Sequence, residues 1–283
     1  MKRLIACVCL LLTLFFASAH AELTQSPYLD AAFSALEEGN IFIERYNELT
    51  GASVTALYKA GIPYFFAAQD AKYLYMPRKL TQVSKYGIPG DKYIWGFDCV
   101  GYTRWIQDQV GDKRHPKLSD MILNYRKYQE YRMDDLKALT PPEIAERLEV
   151  GDFLVAKHGG RHILMYVGTL RDYGFDETSA PELKDFLDYP LMANCGNNPD
   201  YGPRTQQYIE ENGLDAMPSR GGVMVSIVGM PETDAPHVLT EGGAKEFYYY
   251  ELGDYKLSVY DLPGATSYVW WRTIEKDHGV KTK

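Results

Sequence analysis

Apolar positions along this chain fall into two textures that change over near residue 150. Before that point they recur at helical spacing. Phe33, Leu36, Ile41 and Phe42 follow Asp30 in a pattern that predicts a helix to about Thr50, closed by Gly51. "GIPYFFAAQD", Gly61 to Asp70, reads as a turn feeding a short aromatic stretch. Residues 71–95 read as loop, rich in tyrosine and punctuated by Pro77, Pro89 and Gly90. Asp98 stands at the N-cap of a helix expected from Cys99 to about Val110. Further helix is expected from Ser119 to about Leu139. Thr140-Pro141-Pro142-Glu143 then forms a capping box, with proline at the first helical position, and leads to Glu149.

Beyond residue 150 the pattern becomes that of strands. "GDFLVAKHGGRHILMYVGTL" predicts two strands around a His-Gly-Gly turn. A polar insertion, about Arg171 to Asp188, separates them from "YPLMANC". The remainder reads as antiparallel sheet: "VMVSIVG", then "EFYYYEL" and "YKLSVYDL" joined by the hairpin signal Gly253-Asp254, then "SYVWWRT". Its aromatic residues suit strand packing better than a carbohydrate platform. Helices first and strands afterwards predict an α+β fold.

The N-terminus adds a compartment. Lys2 and Arg3 precede an apolar run from Leu4 to Ala17 that is too short to span a bilayer comfortably. It ends in "ASAHA", the small-x-small cleavage pattern of a secretory signal peptide over residues 1–21. The expected destination is therefore the cell envelope or the medium. Removing those residues from the 283 leaves 262. The leader holds two basic residues and no acidic one, so the remainder is more acidic than the whole chain's charge of −8. So acidic a chain is ill suited to nucleic acid, which is held by basic phosphate contacts. No later segment has the length and apolarity of an integral membrane span.

Cysteine count then focuses the chemistry. Cys7 and Cys9 leave with the leader, and Cys99 and Cys195 remain. In an exported protein the two suggest a disulfide. A different reading starts from the helix at Cys99, because free N–H groups and the helix dipole favour a thiolate there. A base would have to come from elsewhere in the chain. His115 and His278 lie in charged, loop-like surroundings, His237 follows a proline in an expected loop, and His158 lies at the Gly-rich turn. All four read as solvated. His162 instead opens the apolar strand "HILMYVG", where a polar ring needs a partner or a purpose. It reads as the base or as a satisfied core histidine. Asn194 ends the next strand and has a carboxamide oxygen able to hold the ring. Strand alternation sends Cys195 to the face opposite Asn194, which argues for two free thiols.

These residues resemble the NlpC-like family of papain-like cysteine peptidases, which cut bacterial cell-wall peptides. The resemblance rests on "GIPYFF", "DCVG", "GDFLV" and "HILMYVG", in that order, over roughly residues 61–110 and 148–196. The family's patterns are Gly-x-Pro-Tyr, Asp-Cys-Ser-Gly at a helix start, Gly-Asp-Leu-Val and His-Val-Gly-Ile-Tyr-x-Gly. Val100 replaces the usual serine, "AAQD" replaces the usual glycines, and Leu164 stands where glycine or alanine is usual and threatens to crowd the cleft.

The resemblance implies a papain-like fold, with a nucleophile at a helix N-terminus packed on an antiparallel sheet. It implies Cys99 as nucleophile, His162 as base, Asn194 as orienting residue, and Tyr64 with Asp98 as the site for a free peptide amine. A plain helix cap at Asp98 and a packing tyrosine at Tyr64 account for those two equally well. The expected organisation is a helical segment at 22–60, a catalytic domain at 61–215 with a helical insertion at about 111–147, and a β-rich extension at 216–283. The expected function is hydrolysis of amide bonds in peptidoglycan stem peptides. The alternatives are an amidase or acyltransferase on the same scaffold, and a non-catalytic cell-wall binding protein. No cofactor is expected, and no cluster with metal-ligand spacing stands out.

Overall fold

The computed structural model describes residues 23–65, 68–69, 78–79, 93–94, 96–112, 139–157, 161–196, 221–240, 246–261 and 267–271. The leader, the helix expected at 119–139, and His115, His158 and His278 lie outside them.

Two helices stand where the sequence predicts one: α1, Pro27–Ser34, and α2, Ile41–Thr50. The chain turns between them at Gly39, whose φ is 75°. Asn40, not Asp30, caps α2, accepting from the Phe42 N–H at 3.0 Å. The break lets Phe33 meet Tyr46 edge to face at 5.4 Å. One straight helix would hold these residues about 20 Å apart. Asp30 instead accepts the Tyr46 hydroxyl at 2.6 Å, fastening the two helices together. Gly51 closes α2 in the left-handed conformation, as its place in the sequence suggests.

The helix expected after Asp98 is α3, Cys99–Gln109, and the capping box opens a short helix, α4, Pro141–Ala145. Strands β1, Arg78–Lys79, and β2, Tyr93–Ile94, form a small ribbon. The main sheet contains β3 Phe153–Lys157, β4 Arg161–Gly168, β5 Leu191–Gly196, β6 Gly222–Val228, β7 His237–Thr240, β8 Glu246–Leu252, β9 Tyr255–Tyr260 and β10 Ser267–Trp271. Its order is β10-β3-β4-β5-β6-β9-β8-β7. The molecule is α+β, but the sheet is mixed rather than antiparallel throughout, because β6 and β9 run parallel. Residues beyond 216 continue the sheet of β3–β5 on both sides: β6 pairs with β5, and β10 pairs with β3. Strand β7 replaces the loop expected around His237.

Both faces of the central strands are covered. Phe153, Val155, Ile163, Met165, Ala193 and Val225 share one core with α1, α2 and α3. Leu154, Ala156, Leu164, Tyr166 and Met192 form the other, under Ile144, Ala145 and Leu148. Double burial explains why "HILMYVG" lacks a clean apolar–polar alternation, since both parities of residue need apolar surroundings.

Two glycines bring the "GIPYFF" segment against α3. A Cβ at Gly96 would lie 2.2 Å from the Pro63 carbonyl oxygen, and one at Gly101 only 1.9 Å from that of Ala68. Across this approach Phe97 donates to Pro63 O at 3.1 Å, and Phe65 donates to Phe97 O at 2.7 Å. Gly101→Ala is therefore expected to cost about 1–3 kcal/mol, as overpacking does, although alanine suits a helix better. Urea unfolding checks this, and an unchanged midpoint would show that the Ala68 carbonyl yields freely.

Candidate active site

Cys99 is the first residue of α3, and Asp98 accepts from the Gly101 N–H at 2.8 Å to cap it. The thiol meets backbone N–H groups of Val100, of Cys99 itself and of Ile163, each of which favours its ionised form. Local strand geometry explains the last of these. Tyr166 donates to Asp152 O at 2.8 Å, which turns the amides of even-numbered β4 residues toward β3. Ile163 and Met165 therefore turn theirs toward β5. The β4–β5 ladder begins only at Met165↔Ala193, so the Ile163 N–H lies beyond its end. Cys99 enters where the two strands part, beside the residue that follows His162.

His162 shares a sheet face with Leu164 and Tyr166. Its Nε2 lies 3.1 Å from Asn194 Oδ1, joining the two polar residues that the sequence placed on neighbouring strands. The ring is half-buried and stacks on Tyr260, with centroids 5.5 Å apart. Asn194 is buried, and its Nδ2 donates to Ser226 Oγ at 3.0 Å and to Met192 O at 3.3 Å. Both amide hydrogens are thereby used, which leaves Oδ1 to face the imidazole.

The resting charge differs from the thiolate expected at a helix start. Burial foremost, and then the neighbouring Asp98 carboxylate, push the Cys99 thiol up to about 12, against the three N–H groups that favour ionisation. Burial also lowers the His162 pKa, opposed by its bond to Asn194. Thiol and imidazole are each shifted toward the uncharged form near neutral pH.

Tyr64 and Asp98 are neighbours through backbone pairing, since Tyr64 bridges Phe97. Asp98 acts as a helix cap. Burial raises its pKa, while backbone N–H groups of Gly101 and Val100 and the Gln69 side chain use its acceptor capacity. Tyr64 is half-buried against the core. Leu164 has no exposed surface and packs under α4.

Cys99 and Cys195 are both free. Cys195 does lie on the face opposite Asn194, but that is the face on which α3 packs, so Cys195 shares a side of the sheet with the helix that Cys99 begins, not a side away from it. Its thiol is buried and donates to Phe97 O at 3.3 Å.

Sequence reading missed Tyr260, Ser226 and Ser258. A single serine inside each of the apolar runs "VMVSIVG" and "YKLSVY" was the available signal, because a buried hydroxyl needs a partner. It also gave His237 no partner. His237 Nε2 instead lies 2.8 Å from Glu182 Oε1, while the Glu251 N–H donates to Glu182 Oε2 at 2.9 Å. Ligand-type atoms of Glu182, His237 and Glu251 lie within 4.8 Å of one another, a grouping assembled from three separate elements. These bonds tie the polar insertion to the sheet edge. Comparison with known protein families, curated proteins and solved structures gives no match to this chain.

The charge state of the pair is open to direct measurement. Alkylation of Cys99 by iodoacetamide is expected to be slow at mildly acidic pH and to rise only on the alkaline side of the ordinary thiol value of about 8.5. Cys195 should lag behind it throughout. A fast reaction that has already levelled off at mildly acidic pH would show a resting thiolate–imidazolium pair instead.

Proposed function

We propose that this chain is an exported cysteine hydrolase that cleaves amide bonds in peptidoglycan stem peptides. Cys99 is the nucleophile, His162 the base and Asn194 the residue that orients the imidazole. The carrying observation is the Nε2–Asn194 bond on a strand whose next residue, Ile163, offers its amide to the thiol of a helix-start cysteine. His162 stands on the sheet face of Leu164, opposite the one on which α3 packs, so the reading requires the ring to meet the thiol at the end of the strand. That bond occupies Nε2 and leaves Nδ1 as the ring atom able to accept a proton. The substrate class and the exported location rest on the order of the four motifs and on the leader.

With both groups uncharged at rest, proton transfer accompanies attack. The thiol proton passes to Nδ1 of His162 as Sγ bonds to the amide carbon. The Cys99 N–H, which has no intrahelical acceptor at the start of α3, turns from the thiol to donate to the oxyanion. Collapse breaks the carbon–nitrogen bond, and His162 returns the proton to the leaving amine. Water, deprotonated by the same ring, then splits the thioester and frees the acid and the thiol.

The neutral thiol also favours a second reading, a cell-wall binding protein that has kept this fold without turnover. Incubation with purified peptidoglycan and mass analysis of the products separates the two. Peptide release is expected from the wild type. It should be abolished in Cys99→Ala and in His162→Ala, because neither half of the pair works alone, and reduced less in Asn194→Ala. Wall binding without release, unchanged by Cys99→Ala, would establish the binding reading.

Tyr64 and Asp98 complete the proposal as the site for the free amine of the stem peptide, a role that rests on their place in the motifs and requires Asp98 to give up one of its present donors to the ammonium group. Acetylating that amine is expected to weaken transition-state binding by roughly 1.5–3 kcal/mol, one charged hydrogen bond. Equal kcat/KM for blocked and free peptides would remove the amine site and leave the nucleophile in place.

A further inference from the structure

We infer that Ser226, Ser258 and Met224 are positioning residues, a buried hydrogen-bond chain that decides which nitrogen of His162 carries the proton. The inference deepens the reading of His162 as a base and rests on it for its significance to the reaction. From the ring inward, His162 Nε2 meets Asn194 Oδ1 at 3.1 Å, and Asn194 Nδ2 meets Ser226 Oγ at 3.0 Å. Ser226 Oγ meets Ser258 Oγ at 2.6 Å, and Ser258 Oγ lies 3.6 Å from Met224 Sδ. The serines are 3% and 1% exposed, so no solvent relieves an unpaired hydroxyl.

The two ends of the chain set its direction. A thioether has no hydrogen, so Met224 only accepts, and Ser258 spends its hydrogen there. Ser258 is left to accept from Ser226. Ser226 has a lone pair left for the Asn194 amide, which presents Oδ1 to the ring. The proton therefore belongs on Nε2 and the lone pair on Nδ1. A flipped amide would turn Oδ1 toward the Met192 carbonyl, two acceptors facing each other, and would reverse every bond down to Met224. The parallel β6–β9 pairing makes the chain feasible, since it sets Ser226 directly opposite Ser258 on one face.

The tautomer is readable without substrate, from imidazole nitrogen chemical shifts of the 15N-labelled protein. Wild type is expected to show His162 protonated on Nε2 alone. Ser226→Ala should give a mixture of tautomers and about tenfold lower kcat for peptide release at unchanged KM, with Ser226→Thr restoring both. Met224→Leu conserves volume and removes the terminal acceptor, so it should shift the tautomer even if Ser226→Ala fails to fold. A wild-type nitrogen spectrum in Met224→Leu, or in a folded Ser226→Ala, would overturn the inference. That result is distinct from peptide release by Cys99→Ala, which would overturn the catalytic reading and leave the tautomer untouched.

Discussion

Burial of both faces of the central strands governs where polar chemistry can sit in this protein. Near its centre no side chain reaches bulk water easily, so a polar group there persists only with a partner inside the molecule. His162 is bonded to Asn194, Asn194 to Ser226, and Ser226 to Ser258. The same burial keeps thiol and imidazole neutral, because it penalises whichever form carries charge. Helix N-terminal donors oppose this at Cys99 but do not outweigh it together with Asp98, the residue that caps the helix. One carboxylate thus caps the helix that Cys99 begins and restrains ionisation of the thiol.

What could be read from sequence was what neighbouring residues determine. The N-cap at Asp98, the box at Thr140–Glu143, the closure at Gly51 and the hairpin at Gly253 each depend on a few adjacent positions, and each is where the pattern placed it. The pairing of His162 with Asn194 was legible because two consecutive strands of matching parity put both on one face. What failed depends on contacts distant in the chain. The division of the first helix follows from Phe33 packing on Tyr46. The parallel β6–β9 pairing departs from the simplest hairpin order, and the strand at His237 is held by Glu182 from the insertion through the imidazole. The thiol's surroundings were hidden for the same reason: a helix start is visible in sequence, and the packing that opposes ionisation of Cys99 is not.

Glycine at 101 illustrates how a motif residue can be explained without chemistry. Its missing side chain admits the Ala68 carbonyl to the first turn of α3, which fixes the preceding segment, and Tyr64 within it, against Phe97. The close spacing of cysteine and glycine in "DCVG" therefore joins two requirements, a thiol at a helix start and a backbone packed tightly behind it.

The pairing of β10 with β3 has a consequence in time. Residues 153–157 precede most of the sheet in the chain, yet their outer edge is covered by residues 267–271, made more than a hundred positions later. Until then the hairpin that carries His162 has one edge of unpaired N–H and C=O groups, a template for pairing with any strand at hand. Ser258 is also late, so the bonds behind the imidazole cannot close first. A growing chain therefore holds Cys99 long before the hydrogen bonds behind His162 can close.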